Sequence, residues 1–202
     1  MRRYFLLALT LLLAAGFAAA QEKAKPEKAA PSAAADPMME AWMKASTPGE
    51  AHKLLAKHAG VWDAEVKLWM DPAAPPMVSK GKGTNTLIFG GRFVETRFTG
   101  DFNGQPFEGI GYMGYDNIQK KYVGFWIDNT ATWFMTSTGT ADKEGKTWRS
   151  SGEVSDPMTG TMKPFREEAI FETPDRLVSR AYDKGPDGKE FKSMEITYTR
   201  VK

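Results

Sequence analysis

From Trp62 onward the chain carries a period of two. Trp62, Ala64, Val66 and Leu68 alternate with Asp63, Glu65 and Lys67, so one face of an extended segment is apolar and the other charged, as a half-buried antiparallel strand requires. Strand-like segments continue to the end of the chain. They are broken at Asp71-Pro72 through Pro76, Gly90-Gly91, Asn103-Gly104, Asp116-Asn117, Asp128-Asn129, Glu144-Gly145, Asp156-Pro157 to Gly160, Thr173-Pro174-Asp175 and Asp187-Gly188. Nine breaks separate ten strands. Breaks this short join neighbouring strands and make a meander. No helical period is left inside the region to cover a sheet edge, so closure into an antiparallel up-and-down barrel is the natural way to pair the edge N–H and C=O groups. About eight strands already mark the boundary between a filled barrel and one that holds a small ligand, so ten predict a cavity.

One short helix is expected before the barrel. Thr47-Pro48-Gly49-Glu50 has the S/T-x-x-E form of a capping box with Pro at the first helical position, and Gly60 is placed to end a helix over 48–59. Both histidines of the chain, His52 and His58, fall here. Six residues turn them roughly 240° apart on an α-helix, so they make no chelating pair; a surface or capping role for each is the plainer expectation, and a functional histidine in this helix the sharper one. No metal site is expected.

The start of the chain reads as a secretory signal. Met1-Arg2-Arg3 is a short positive region, Tyr4 to Ala15 an apolar run, and Ala18-Ala19-Ala20 a small-residue cleavage site ahead of Gln21. The apolar stretch is short for a membrane span and no stop-transfer pattern follows, so a cleaved leader over 1–20 is expected, with export to the periplasm or the medium and no integral membrane segment afterwards. Arg2-Arg3 also resembles a twin-arginine start, but the apolar core favours ordinary secretion. Residues 21–46 form an Ala/Pro/Lys/Glu spacer, whose composition buries too little to offset the entropy of ordering it. Near its end Asp36-Pro37 can cap a short helix in which Met38, Met39, Trp42 and Met43 share one face. Packing of that stripe onto the following domain, residues 47–202, is the plainer expectation, and a partner-binding segment the sharper one.

Charge and cysteine content exclude several classes of function. The chain has 27 basic and 25 acidic residues, and loss of Arg2 and Arg3 with the leader leaves the signs balanced. Without a basic block there is no electrostatic footprint for nucleic acid. The absence of cysteine rules out disulfides, thiolate metal sites, a thiol nucleophile and a cysteine lipid anchor.

A helix leading into Gly60-Val61-Trp62 on the first strand, with Tyr198-Thr199-Arg200 closing the last, resembles the calycin superfamily of lipocalin-like barrels. That resemblance implies that Trp62 packs at the barrel's closed end and that Arg200 lies across it. A guanidinium over an indole contributes about 0.5–2 kcal/mol and would tie the last strand to the first. A closer resemblance runs from about Pro48 to Arg200. His52-Lys53-Leu54-Leu55, Gly60-Val61-Trp62, Gly90-Gly91-Arg92-Phe93, Phe107-Glu108-Gly109, Gly114-Tyr115-Asp116-Asn117, Trp126-Ile127-Asp128 and Glu195-Ile196-Thr197-Tyr198-Thr199-Arg200 are similar to the family DUF1579, domain of unknown function 1579. It implies an all-β, ten-stranded calycin-like barrel after a short helix, and no established chemistry.

Among candidate site residues, Gly90-Gly91 reads as a sharp turn, since no helix follows to make a phosphate cradle. Asp116 and Asp128 sit beside Asn at strand ends, where they satisfy turn backbone. Arg92 and Glu95, three apart on a strand, point to opposite faces and are not expected to touch. Glu167 shares parity with Phe165, Ala169 and Phe171, so a straight strand aims it into the interior, where it would bind a ligand's polar end or act as a base. A bulge near Pro164, or a structural ion pair, is the competing expectation. The cavity lining is expected to come from part of the set Trp126, Trp133, Trp148, Phe165, Phe171 and Tyr198, with an aromatic core as the simpler role for the tryptophans. Val123, Phe125 and Ile127 are apolar on the face opposite to Tyr122 and Trp126, which predicts cover from the N-terminal helix or from a second subunit in a homodimer. No histidine follows His58, so haem ligation by a late-strand histidine is disfavoured and no cofactor is expected. The residues together point to an exported binder of a small apolar or amphipathic molecule, not obviously an enzyme. The alternatives are an isomerase- or hydrolase-like enzyme using Glu167 or Asp128, and an envelope interaction protein using the Met38 to Met43 stripe.

Overall fold

The structure, a computed structural model, describes residues 36–185 and 188–202. The expected leader at 1–20 and the spacer up to residue 35 lie outside the described residues. Helix α1 (Pro37–Ser46) is followed by α2 (Glu50–Leu55), a 3-10 turn (Ala56–His58) and ten strands. These are β1 (Gly60–Leu68), β2 (Met77–Ile88), β3 (Phe93–Phe102), β4 (Gln105–Asp116), β5 (Lys121–Asp128), β6 (Met135–Ala141), β7 (Thr147–Asp156), β8 (Thr161–Thr173), β9 (Arg176–Lys184) and β10 (Glu190–Arg200). Each expected break marks a join between two of these strands, Asp187 of the ninth lying outside the described residues. Each strand pairs antiparallel with its neighbour in sequence, and β10 returns to β1 with Trp62 opposite Arg200, closing the barrel. Alternation decides the faces as expected: Trp62 and Ala64 are buried while Asp63 and Glu65 are exposed.

A meander gives the barrel two distinct ends. The β2–β3, β4–β5, β6–β7 and β8–β9 turns share one end with α2 and the 3-10 turn, and that end is closed. Tyr122 donates its hydroxyl to the Ala51 carbonyl at 2.9 Å, and Lys57 donates to the carbonyl of Glu144, strapping the helical segment across the opening. Under it lies the core, built from Leu55, Trp62, Val94, Tyr122, Trp148, Phe171 and Leu177.

Gly60 shows why this entry sequence has the form Gly-x-Trp. Its φ of +125° is costly for any residue with a side chain, and a Cβ there would sit 2.5 Å from Arg200 Nη1. Glycine lets the guanidinium slide in over Trp62, with its carbon 4.0 Å from the indole centroid. Arg200 also donates to the carbonyls of Ala59 and Lys57, which seals the helical segment to the last strand.

Three local expectations need correction. The N-cap of α2 is Gly49, not Thr47, and its N–H is held by Nδ1 of His52 at 3.0 Å, so His52 does the capping. The Thr47 backbone N–H and hydroxyl instead both donate to the Met43 carbonyl, at 3.0 and 2.6 Å, just past the end of α1. Secondly, the apolar stripe of α1 does not pack: no residue of α1 is buried and Trp42 is 70% exposed. Its C-terminal carbonyls are what tie it down, Ala45 and Thr47 accepting from Asn117 and Ser46 from Arg92. Thirdly, His58, expected at the surface or in a cap, is buried. On the outer face of β5 the chain's own continuation supplies part of the cover, and Ile127 stays exposed. Phe134, in the β5–β6 connection, stacks on Phe125 with ring centroids 5.4 Å apart, and Tyr112 flanks it at 6.4 Å.

Candidate functional site

The upper part of the barrel is open. A cavity of about 740 Å³ begins above the core and runs toward the end where the β3–β4 hairpin, Asp101 to Gly104, forms part of the rim. Parity selects its lining, because every second residue of a strand faces inward.

Of the expected lining residues, Trp126, Trp148, Phe165, Glu167 and Tyr198 border this cavity, and Trp133 and Phe171 do not. Trp133 lies in the connection before β6, where strand parity no longer applies. Phe171 faces inward but lower down, in the core beneath the cavity. Trp148 is 7% exposed, donates its indole N–H to the Gly145 carbonyl at 3.0 Å, and forms the floor rather than a wall. Trp126 is a wall. Its ring lies flat over Gly109 and Gly111 of β4, where added Cβ atoms would come within 2.2 and 2.9 Å of it, so two glycines make the slot for one indole. Its N–H donates to Asp128 Oδ2 at 2.9 Å, and Asp128 Oδ1 accepts from the backbone and hydroxyl of Thr130. Asp128 is thus a turn residue with both oxygens occupied, as is Asp116, which accepts from Ile118 and Gln119. Arg92 and Glu95 do not meet: Arg92 binds carbonyls of Phe89 and Ser46, while Glu95 pairs with Arg97 and Tyr112.

Glu167 points inward. The β7–β8 register runs without a shift from Asp156 opposite Thr161 to Thr147 opposite Ile170, so Pro164 causes no bulge, and Glu167 faces Ser150 across the sheet. Its partner is a hydroxyl, not a cation: Ser179, one strand over, donates to Oε1. Burial pushes the carboxyl above the ordinary glutamate range, against the Ser179 hydrogen bond, which favours the charged form. The Tyr198 hydroxyl is pushed up by burial and by the charge of Glu167, so both groups hold their protons more tightly than in water. The wall therefore carries one deeply buried acidic centre with a hydroxyl donor and aromatic surface beside it, while Asp128, which also borders the cavity, is spent on Trp126 and Thr130.

The floor carries a second polar pair, His58 and Asn85, of which the sequence singled out only the histidine. The carbonyl of His58 accepts from Trp62 Nε1 and from Asn85 Nδ2, each at 2.9 Å. Since a carbonyl can only accept, the amide of Asn85 must turn its NH2 toward it, which leaves Oδ1 as the free end. The His58 ring packs edge-on against Trp148 at 4.6 Å and Phe171 at 5.1 Å. Burial, with Arg200 and Lys57 nearby, brings its pKa down to about 4, so it is neutral at physiological pH. His58 and Asn85 border the cavity, but Nε2 of the one and Oδ1 of the other are closed off from it and have no hydrogen-bond partner among the described residues.

A closed ten-stranded antiparallel barrel, plugged at one end by a tryptophan under an arginine and hollow at the other, has a calycin-like fold. The sequence profile described as "Protein of unknown function (DUF1579)" matches residues 47–200, and the chain belongs to that family. Among solved structures, Rv2717c from M. tuberculosis is similar with a TM-score of 0.54 at 12% identity, over 77% of this chain and 100% of that one. The S-type phycobiliprotein lyase CPES from Guillardia theta is similar with a TM-score of 0.53 at 12% identity, over 80% of this chain and 97% of that one. At such identities the likeness is one of fold. No curated protein matches the sequence.

Proposed function

We propose that the protein is exported and holds a small, partly apolar molecule in the barrel. The observation that carries this reading is the cavity itself: about 740 Å³, walled by Trp126, Phe165 and Tyr198 and carrying one deep carboxylate, Glu167. Ligand pockets occupy roughly 300–1,000 Å³ and combine apolar walls with a few orienting polar groups. A ligand of about 20 heavy atoms at about 0.3 kcal/mol per atom would bind with about 6 kcal/mol, a Kd in the tens of micromolar.

In this reading Glu167 receives a cationic or donor group on an otherwise apolar molecule. Titration of dodecylamine and of a purely apolar dye, followed by tryptophan fluorescence, tests it. Glu167→Gln is expected to weaken the amine about tenfold, the scale of one hydrogen bond to a charged partner, and to leave the dye unchanged within about twofold. Equal losses for both ligands would remove Glu167 from recognition, and failure of either to bind at high micromolar concentration would remove the carrier reading.

The raised pKa of Glu167 favours one second reading, an isomerase- or hydrolase-like enzyme with this carboxylate as general base. A bound molecule that the wild type but not Glu167→Gln converts, seen as a changed mass on hydrolysis or as a changed chromatographic retention at unchanged mass on isomerisation, supports that reading over simple carriage.

A further inference from the structure

We infer that the cavity reads its ligand along an edge rather than at a head, so that the ligand is a flat, largely apolar ring system with a row of amino or hydroxyl groups on one side. This rests on the carrier reading and deepens it by naming the class of molecule. Four consecutive strands each turn one polar side chain inward: Ser137 of β6, Ser150 of β7, Glu167 of β8 and Ser179 of β9 all border the cavity. Register makes them neighbours. Ser150 lies directly opposite Glu167, and the Ser179 hydroxyl donates to Glu167 Oε1 from the other side. Ser137 pairs with Gly152 and Ser150 with Gly139, so the two serines are diagonal neighbours across β6 and β7. With strands about 4.8 Å apart, four groups on four strands make one polar edge of about 14 Å. The edge is open to a ligand. Ser137 Oγ, Ser150 Oγ and Glu167 Oε2 have no hydrogen-bond partner among the described residues, and none of the three is closed off as His58 Nε2 and Asn85 Oδ1 are. A serine hydroxyl donates or accepts and a carboxylate accepts, so a row of amino or hydroxyl groups satisfies all three.

The adjoining wall supplies the flat surface. Trp126 lies against Gly109 and Gly111 with its N–H spent on Asp128, so the other face of the indole is what a ligand meets. Phe98 lies in the same way over Gly81, where an added Cβ would come within 2.3 Å of the ring, and Phe107 meets it edge-on with centroids 6.0 Å apart. These three rings, on β3, β4 and β5, form a panel that a flat ring system stacks on. Because β5 pairs with β6, a ligand on the panel turns its rim toward Ser137 and the polar edge. Ser79 and Thr96 also border the cavity, but Thr96 lies opposite Asn85, six residues along β2 from Ser79, so they make no second edge. A chain with a single polar head would leave most of the edge without partners, and buried polar groups left unpaired discriminate more strongly than apolar contacts do.

The test is equilibrium dialysis of the full barrel against 1,8-diaminoanthracene, 1,5-diaminoanthracene and 1-aminoanthracene at neutral pH. The 1,8 isomer carries both amino groups on one edge about 5 Å apart, the spacing of neighbouring strands, while the 1,5 isomer of the same composition splits them between opposite edges. In the wild type the 1,8 isomer is expected to bind about tenfold tighter than the 1,5 isomer, the scale of one further hydrogen bond. Ser150 stands in the middle of the edge. In whichever of Ser150→Ala and Ser150→Val retains native near-ultraviolet circular dichroism, the preference should fall to within about twofold, with the affinity for the 1,5 isomer unchanged. Equal binding of the two isomers to the wild type overturns edge recognition while leaving the carrier reading standing, and so does a preference that survives undiminished in a folded Ser150 variant. Failure of all three compounds to bind overturns the carrier reading and edge recognition together.

Discussion

Replacing Trp62 with alanine is expected to cost roughly 3–5 kcal/mol, the range for truncating a buried large aromatic side chain, and to bring the domain close to its unfolding limit. Trp62 is 1% exposed, and its N–H is spent on the His58 carbonyl. Removing the indole opens a void between Leu55, Phe171 and Leu177 that those neighbours, fixed to strands and helix, can only partly fill. Arg200→Ala should cost less, about 1–2 kcal/mol, because its guanidinium is partly solvated and the carbonyls of Ala59, Lys57 and Pro174 that it leaves can turn to water. The two effects should be coupled, since the guanidinium carbon lies 4.0 Å from the indole centroid. Urea unfolding of both single variants and the double variant reads that coupling. Simple additivity would mean the plug and its clamp act independently.

The second large effect is on acid stability. His58 falls from an ordinary pKa of 6.5 in the unfolded chain to about 4 in the barrel. Between those values the unfolded state binds a proton that the folded state refuses, so stability drops as pH falls from about 6.5 and the loss is nearly complete at about 4. The gap corresponds to roughly 3 kcal/mol. Glu167 acts in the opposite sense: its carboxyl is raised in the fold, so protonation favours the folded state as pH falls toward the ordinary glutamate value. Wild-type stability against pH mixes the two. The difference between wild type and His58→Phe isolates the histidine, and that difference should shift by roughly 3 kcal/mol against the wild type between pH 7 and pH 4. A pH-independent difference would mean that the ring gains a proton within the folded barrel at no cost.

The parts of this molecule that follow from local chemistry were legible before any coordinates. Alternation from Trp62 and the turn residues at each break determine strands and their order, and with no helix to cover an edge, closure follows. Parity also pointed Glu167 inward, and only the bulge near Pro164 stood against it; the irregularity in β8 lies between Phe171 and Thr173 instead. Depth along the axis was not legible. Parity puts Phe165, Ala169 and Phe171 on one face but does not say that Phe171 joins the core while Phe165 borders the cavity. Trp133 entered the expected set for its aromatic surface alone, and it lies in a connection without strand geometry, away from the cavity lining. The burial of His58 was hidden because it sits on a 3-10 turn, where a helical wheel misdirects it. Asn85 was within reach, since it shares inward parity with Gly83, but an asparagine in a strand raises no signal until its partner is known. The Met38 to Trp42 stripe showed its helical period, yet whether a groove exists to receive it depends on residues far away in sequence.

Carriage of a small molecule in the cavity is tested most directly by native mass spectrometry of the protein purified from its own host, beside a Ser150→Trp variant that puts an indole into the space facing Glu167. The same spectra read the mature N-terminus, expected at Gln21; a chain still carrying residues 1–20 contradicts cleavage of the leader. For the wild type the prediction is a second species heavier by one molecule of about 200–500 Da, the size such a pocket accommodates, lost on collisional activation and depleted in the variant. The bare polypeptide mass in both proteins contradicts it.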